Sequence, residues 1–205
     1  MSTFITDTRA MTRYYDQACR RFSSSYKAVG WYSVQTQCAR FEVASLMADW
    51  HEKSLLDVGC GQGDLLGYLH DQAIFPHYEG IDLSANMLEK ARQKFPQAIF
   101  FQQDILEPGF EKKYDYCVAS GPFNHRLRIS QDRYIQSAIT SMFRLAKLGI
   151  VFNLLSDKTP ESEQDDSQFF YYSSKKIEKF CLTLSPKVEI KEGYLPNDFT
   201  VYLYK

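Results

Sequence analysis

From Ser54 onward, short apolar runs rich in β-branched and aromatic residues alternate with segments of helical pattern, and this alternation confines the chain to the α/β folds. The runs are SLLDVG at 54–59, HYEGID at 77–82, AIFFQQ at 97–102, YDYCVAS at 114–120 and GIVFNLL at 149–155. Between them the pattern predicts helices over about 64–71, over 85–94 with Ser84 as N-cap, and over 130–146. Strands separated by helices become parallel neighbours. Runs such as LGIVFNLL are apolar on both faces, as in a sheet covered by helices on both sides. After a helix near 175–183 the pattern changes, because KVEIKEGY and FTVYLYK are separated only by LPND. A parallel crossover needs about a dozen residues, so these last two strands form an antiparallel hairpin. The expectation is a mostly parallel seven-stranded sheet ending in that hairpin.

With 205 residues and 44% hydrophobic content the chain can bury one sizeable core. Residues 1–50 read as a helical cap, with Phe41, Ala44 and Trp50 along one face and Tyr14, Ala18 and Phe22 along another; residues 51–205 form the main domain. The net charge of -1 supplies no overall attraction to nucleic acid or to an anionic membrane. The N-terminus lacks the apolar core of a secretory signal, and no apolar run approaches the roughly 18 to 20 residues of a membrane span. A cytoplasmic protein is expected. Its five cysteines, at 19, 38, 60, 117 and 181, form no C-x-x-C pair, so they are read as reduced, mostly buried thiols and no metal site is expected.

The turn LLDVGCGQGDLL at 55–66 follows the first strand and opens a helix. Gly59, Gly61 and Gly63 leave the backbone bare, and N–H groups of the first helical turn point outward, so a ligand can approach closely. The dinucleotide fingerprint G-x-G-x-x-G would need glycine at position 64, where the chain has Asp64. A pyrophosphate beside Asp57 or Asp64 would meet repulsion of about 4 kcal/mol per close pair at an intermediate dielectric. A cationic or zwitterionic ligand would gain instead.

This stretch resembles the first motif of class I S-adenosylmethionine-dependent methyltransferases, and the resemblance extends in order over residues 54–205. It implies a Rossmann-like methyltransferase fold and S-adenosyl-L-methionine as cofactor. On the residues of this chain, it implies a cofactor set of Asp57, Gly59, Cys60, Gly61 and Gly63 from the turn, with Ser120 at the end of the fourth strand. Asp82, 19 residues after Gly63 (82 − 63), would accept the ribose hydroxyls. Asp104 would take the adenine amino group beside the backbone of Ile105, with Leu83, Met87 and Ile105 as apolar faces for the ring. An acid at position 82 also suits a dinucleotide enzyme, so an NAD(P)-dependent oxidoreductase is the rival reading. A cofactor-binding regulatory subunit without catalysis is a third.

The methyl acceptor is expected after the fourth strand, in ASGPFNHRLR at 119–128. Enzymes methylating amino groups of nucleic-acid bases carry an Asn/Asp/Ser-Pro-Pro-aromatic motif there. In Ser120-Gly121-Pro122-Phe123, Gly121 replaces the first proline, which argues against a base substrate and for a small molecule. His125 is the candidate general base, with a structural loop histidine as the alternative. Arg126, Arg128 and Arg133 are a candidate site for an anionic acceptor group, or a solvated face. Phe123, Asn124 and Arg126, together with Tyr14, Trp31 and Gln35 of the cap, make up the candidate acceptor set; Tyr15 and Tyr32 are further cap aromatics. The acidic stretch 157–166 is a loop, either a lid or plain surface.

Overall fold

The computed structural model describes residues 5–128, 130–165 and 167–205. Three helices come first: α1 (Ile5–Arg21), the single turn α2 (Ser25–Ala28) and α3 (Val34–Ser45). Ser33 starts α3 with a reciprocal cap. Its hydroxyl accepts from the N–H of Thr36 at 3.1 Å, and Thr36 Oγ1 accepts from the N–H of Ser33 at 3.2 Å, so two orphan donors of the first turn are satisfied.

The alternating part follows as β1 (Ser54–Val58), α4 (Asp64–Asp71), β2 (His77–Asp82), α5 (Ala85–Lys94), β3 (Ile99–Gln102), β4 (Tyr114–Ser120), α6 (Gln131–Leu145) and β5 (Ala146–Leu155). Then come α7 (Ser174–Cys181), β6 (Val188–Glu192) and β7 (Asp198–Tyr204). Ser84 caps α5, accepting from the N–H of Met87 at 3.1 Å as its position predicts. One boundary differs from the sequence expectation. The chain turns from α6 directly into β5 at Ala146, whose ψ of 147° is already extended and which pairs with Tyr114, so the strand begins before the apolar run at 149.

The seven strands order as β3-β2-β1-β4-β5-β7-β6, with β1 to β5 parallel and β7 antiparallel to both its neighbours. This is the expected Rossmann-like arrangement with its terminal hairpin. Successive residues of β5 serve opposite faces. Val151 joins Phe41, Leu65, Leu69, Leu88 and Val118 in the core under α3, α4 and α5, while Phe152 joins Ile135, Ile139, Met142 and Phe199 under α6 and α7. Burying each such side chain contributes about 1.5–3 kcal/mol, which is why both faces need helices.

The order reverses at β1, whose successor β2 lies on one side while β4 lies on the other, and a crevice opens there beyond the carboxyl ends of the strands. α1 packs across α5, and a short hydrogen bond joins Ser84 to Asp16, closing one side of this crevice. Among the described residues no helix is long and apolar enough to cross a membrane.

Candidate functional site

The crevice is a cleft partly open to solvent, lined by the turn after β1 and by the carboxyl ends of β2 and β4. Its floor is the turn after β1. Gly59 and Cys60 both give their N–H to the carbonyl of Ile81, at 2.8 and 3.0 Å, which ties this turn to the end of β2. At Gly59 φ is +73°, and a Cβ would stand 2.4 Å from Cβ of Pro122. Only glycine lets the loops after β1 and β4 meet here.

Four carboxylates line the cleft: Asp57, Asp64, Asp82 and Asp104. Asp82 receives the Gly61 N–H on Oδ2 at 2.9 Å and the Ser84 N–H on Oδ1 at 2.8 Å. Those bonds hold it in place and leave further lone pairs for a ligand. Burial pushes its pKa up against the lowering effect of the same bonds. Asp104 is held by the Leu106 N–H at 2.8 Å, and burial raises its pKa too. Asp57, 3% exposed, accepts from the Tyr78 hydroxyl at 2.6 Å. Burial, then the nearby charges of Asp82 and Asp64, outweigh that hydrogen bond and push its pKa up to about 7. Asp64 is paired with Lys94 at 3.1 Å and accepts from Gln37 Nε2 at 3.2 Å. Among the described residues, no lysine, arginine or histidine lines the cleft. The site therefore has an excess of negative charge that a cationic ligand would relieve.

Beyond the carboxylates the walls are apolar. Leu83, Met87 and Ile105 flank Asp82 and Asp104, and Met11, Tyr15, Trp31, Phe123 and Tyr134 complete the apolar lining, with Tyr15 packed beside Met87. Burial raises the phenol pKa of Tyr15 and Tyr134, so both remain neutral hydroxyls near pH 7. At Gly121 φ is +86°, a value closed to proline, and a Cβ would lie 2.5 Å from the Trp31 ring. The glycine that replaces the first proline of the motif thus makes a tight turn against which Trp31 fits.

The structure brings together Asp57, Gly59, Cys60, Gly61, Asp82, Leu83, Met87, Asp104, Ile105 and Ser120 of the expected cofactor set, and Trp31 and Phe123 of the expected acceptor set. Gly63 is outside the lining and faces Phe95, so it serves the start of α4. Gln35 is exposed and Gln37 takes its place, because α3 turns positions 37, 41 and 44 inward. Tyr32 is 94% exposed. Tyr14 hydrogen-bonds Gln168 through its hydroxyl and lies tilted against His125, with ring centroids 5.4 Å apart. His125 packs near Tyr14 and Tyr15, outside the cleft lining.

Asn124 is buried, with its Oδ1 accepting from the Leu155 N–H at 3.0 Å. Arg126 gives its Nε–H to the Phe169 carbonyl at 3.2 Å and lies over the Phe170 ring, while Arg128 and Arg133 are exposed. None of the three arginines reaches the cleft. Position 166 lies outside the described residues, and among the described residues of the stretch 157–165 none is in the lining: Lys158 pairs with Glu192, and Thr159 is buried against the Ser156 carbonyl. Residues not foreseen as site members include Met11, Val29, Gln37, Phe41 and Tyr134. The spacing of Gln37, Phe41 and Ala44 behind the Ser33 cap is the signal that could have placed two of them.

The model of a methyltransferase domain family matches residues 55–149. Rv1506c of Mycobacterium tuberculosis, provisionally named a methyltransferase, is 27% identical over 155 residues, 74% of this chain and 93% of that one. The magnesium protoporphyrin IX methyltransferase of Synechocystis PCC 6803, solved with bound SAH, superimposes with a TM-score of 0.70 at 16% identity, covering 97% of this chain and all of that one. A TehB-like SAM-dependent methyltransferase from Corynebacterium glutamicum superimposes with a TM-score of 0.63 at 19% identity, covering 96% and 100%.

Proposed function

Because the chain belongs to the class I S-adenosylmethionine-dependent methyltransferases, we propose that it transfers the methyl group of S-adenosylmethionine to a small-molecule acceptor bound in the same cleft. The observation that carries this reading is the grouping of Asp57, Asp82 and Asp104 around one hollow beside the bare turn at Gly59. Those residues fit the cofactor. Asp82 has lone pairs to spare for a ribose, Asp104 stands beside the apolar trio Leu83, Met87 and Ile105, and Asp57 suits an ammonium group. When bound, S-adenosylmethionine supplies an electrophilic methyl carbon on a positively charged sulfur.

The chain's own contribution is placement and exclusion of water. In-line displacement at carbon needs the acceptor held about 3 to 3.5 Å from the methyl, which orientation alone accelerates strongly. Trp31, Tyr15, Phe123 and Tyr134 form the walls that hold an acceptor, and α1 through α3 close the cleft above them. With no histidine in the cleft lining among the described residues, the acceptor attacks with its own lone pair as the carbon–sulfur bond breaks, and any proton it carries leaves to water.

Free cysteines at all five positions, four of them buried, suit a reducing compartment, and the protein is read as cytoplasmic. Nucleic acid is not the expected partner, since no cationic side chain among the described residues lines the cleft. Calorimetry with S-adenosylmethionine and S-adenosylhomocysteine tests the cofactor, and transfer of isotopically labelled methyl into a metabolite extract tests the reaction. Absence of binding at millimolar concentration refutes the proposal.

A further inference from the structure

We propose that Gln168 and Phe169 are positioning residues for methyl transfer: the segment 168–172, none of whose residues lines the cleft, holds three of the cleft's wall residues in mutual register. The inference rests on the methyl-transfer reading for the use made of those walls; the fastening itself is a matter of contacts.

Tyr15, Trp31 and Phe123 come from three separate places: α1, the turn between α2 and α3, and the loop after β4. None of these belongs to the sheet, so the strand ends that fix Asp57 and Asp82 do not fix them. Each is next in sequence to a residue that the segment touches. Gln168 gives a short hydrogen bond from Nε2 to the hydroxyl of Tyr14, beside Tyr15. The Phe169 ring lies against Gly30, beside Trp31, where a Cβ would stand 3.5 Å from Cζ. The Phe170 N–H goes to the carbonyl of Asn124, beside Phe123, at 2.8 Å.

The segment is itself anchored. The Arg126 N–H goes to the Gln168 carbonyl at 2.8 Å and Phe169 pairs with His125 in an antiparallel bridge, so residues 168–170 run as a short ladder along the loop after β4. Tyr172 ties the far end to the sheet. Its N–H goes to the Leu155 carbonyl at 2.7 Å, and its buried hydroxyl gives to the Phe123 carbonyl at 2.7 Å. Through this one segment the three walls are referred to β5.

On the cofactor side the cap has fastenings of its own. Asp16 bonds Ser84, Lys90 Nζ gives to the Cys19 carbonyl at 2.7 Å, and Gln37 Nε2 gives to Asp64 at 3.2 Å. These contacts reach α5, its cap and the start of α4, next to the residues assigned to the cofactor. Cutting the contacts of Gln168 or Phe169 should therefore shift the walls and leave the cofactor pocket in place. One neutral hydrogen bond contributes little net stability, so the fold tolerates its loss.

Trp50, 1% exposed, is packed in the core, so acrylamide quenching of tryptophan emission reports on Trp31 once the signal of Trp31→Phe is subtracted. With S-adenosylhomocysteine bound, the quenching constant of Trp31 is expected to rise severalfold in Phe169→Ala, while the Kd for S-adenosylhomocysteine by calorimetry stays within a few-fold of the parent chain. The initial rate of labelled methyl transfer from S-adenosylmethionine into a metabolite extract should fall about tenfold in Phe169→Ala and recover in Phe169→Leu, which keeps an apolar contact with Gly30. Gln168→Leu and Tyr14→Phe remove one bond from its two sides, so each should slow transfer by the same factor and the double variant by no more. Should Phe169→Ala not fold, this cycle decides by itself. An unchanged quenching constant in Phe169→Ala, a transfer rate unmoved by these substitutions, cofactor affinity lost in step with the rate, or Gln168 and Tyr14 effects that multiply each overturns the inference. If the parent chain binds no S-adenosylhomocysteine or transfers no methyl, the methyl-transfer reading falls; if it does both and the variants match it, only the positioning role falls.

Discussion

Arg40 and Asp198 form a buried ion pair that fastens α3 to the first residue of β7 across 158 positions of sequence. The same guanidinium covers the Trp31 ring, so the pair also seats one wall of the cleft. Removing one partner leaves an uncompensated buried charge, which costs about 3–5 kcal/mol. Asp198→Ala is therefore expected to lower stability by that order in urea unfolding. Arg40→Leu combined with Asp198→Leu should recover much of the loss while still weakening acceptor binding, because Trp31 loses its backing. A double variant no more stable than Asp198→Ala would contradict this account.

The ligand-free protein should lose stability as pH rises from about 4 towards 7. Asp57 has a pKa of about 7 in the fold against an ordinary 3.8, so the folded state holds its proton through an interval where the unfolded chain has released it. Stability is thus greatest, as far as this group decides it, below the lower value and is lost up to the higher one. Asp57→Asn should flatten that slope and raise the melting temperature near pH 8. For a cationic ligand the sign reverses: binding selects ionised Asp57, so the affinity for S-adenosylmethionine should drop severalfold from about pH 8 to about pH 6. Differential scanning fluorimetry and calorimetry over that range check both statements.

Gly121→Ala should reduce methyl transfer by one to two orders of magnitude and weaken S-adenosylmethionine binding much less. A side chain at a φ of +86° costs on the order of 1–3 kcal/mol, and its Cβ would press on the Trp31 ring at 2.5 Å. Gly59→Ala differs because the clash is with Pro122 at the floor of the cleft, and loss of cofactor binding is expected. Measuring KM for the acceptor and Kd for the cofactor in both variants separates the two positions.

Asp82→Ala removes the acceptor for the N–H groups of Gly61 and Ser84 as well as the proposed ribose contact. Hydrogen bonds to a charged group contribute about 1.5–3 kcal/mol, so a loss of one to two orders of magnitude in cofactor affinity is expected by calorimetry. An unchanged affinity would remove Asp82 from the cofactor site.

His125→Ala is expected to keep turnover within a few-fold of the parent chain. Its imidazole packs, tilted, near Tyr14 and Tyr15 and is not part of the cleft lining, so its loss is expected to loosen packing alone. A fall of a thousandfold with an altered pH profile would restore the role of general base to it.

The alternation of strand and helix patterns, the glycine turn and the ordered acids at positions 57, 82 and 104 were legible because each rests on local chemistry. Apolar period sets the element, glycine sets the turn, and strand ends in a parallel sheet fall on one rim. The acceptor end was less legible. His125, Asn124 and Arg126 sit within a few residues of Phe123, yet only Phe123 faces the cleft, since the loop after β4 turns the others toward the 168–170 segment and β5. Gln35 and Gln37 differ only by helical phase, which the Ser33 cap decides.

Composition and periodicity by themselves determined the order of elements, the covered parallel sheet, its antiparallel end and the acidic character of the site, because these follow from which residues repeat and where the chain can bend. Tertiary structure alone decided which loop residues meet the ligand. It buried Arg40 against Asp198, set Trp31 against Gly121 and moved Asp57 to a pKa near 7, because those properties arise from groups far apart in sequence brought together out of water.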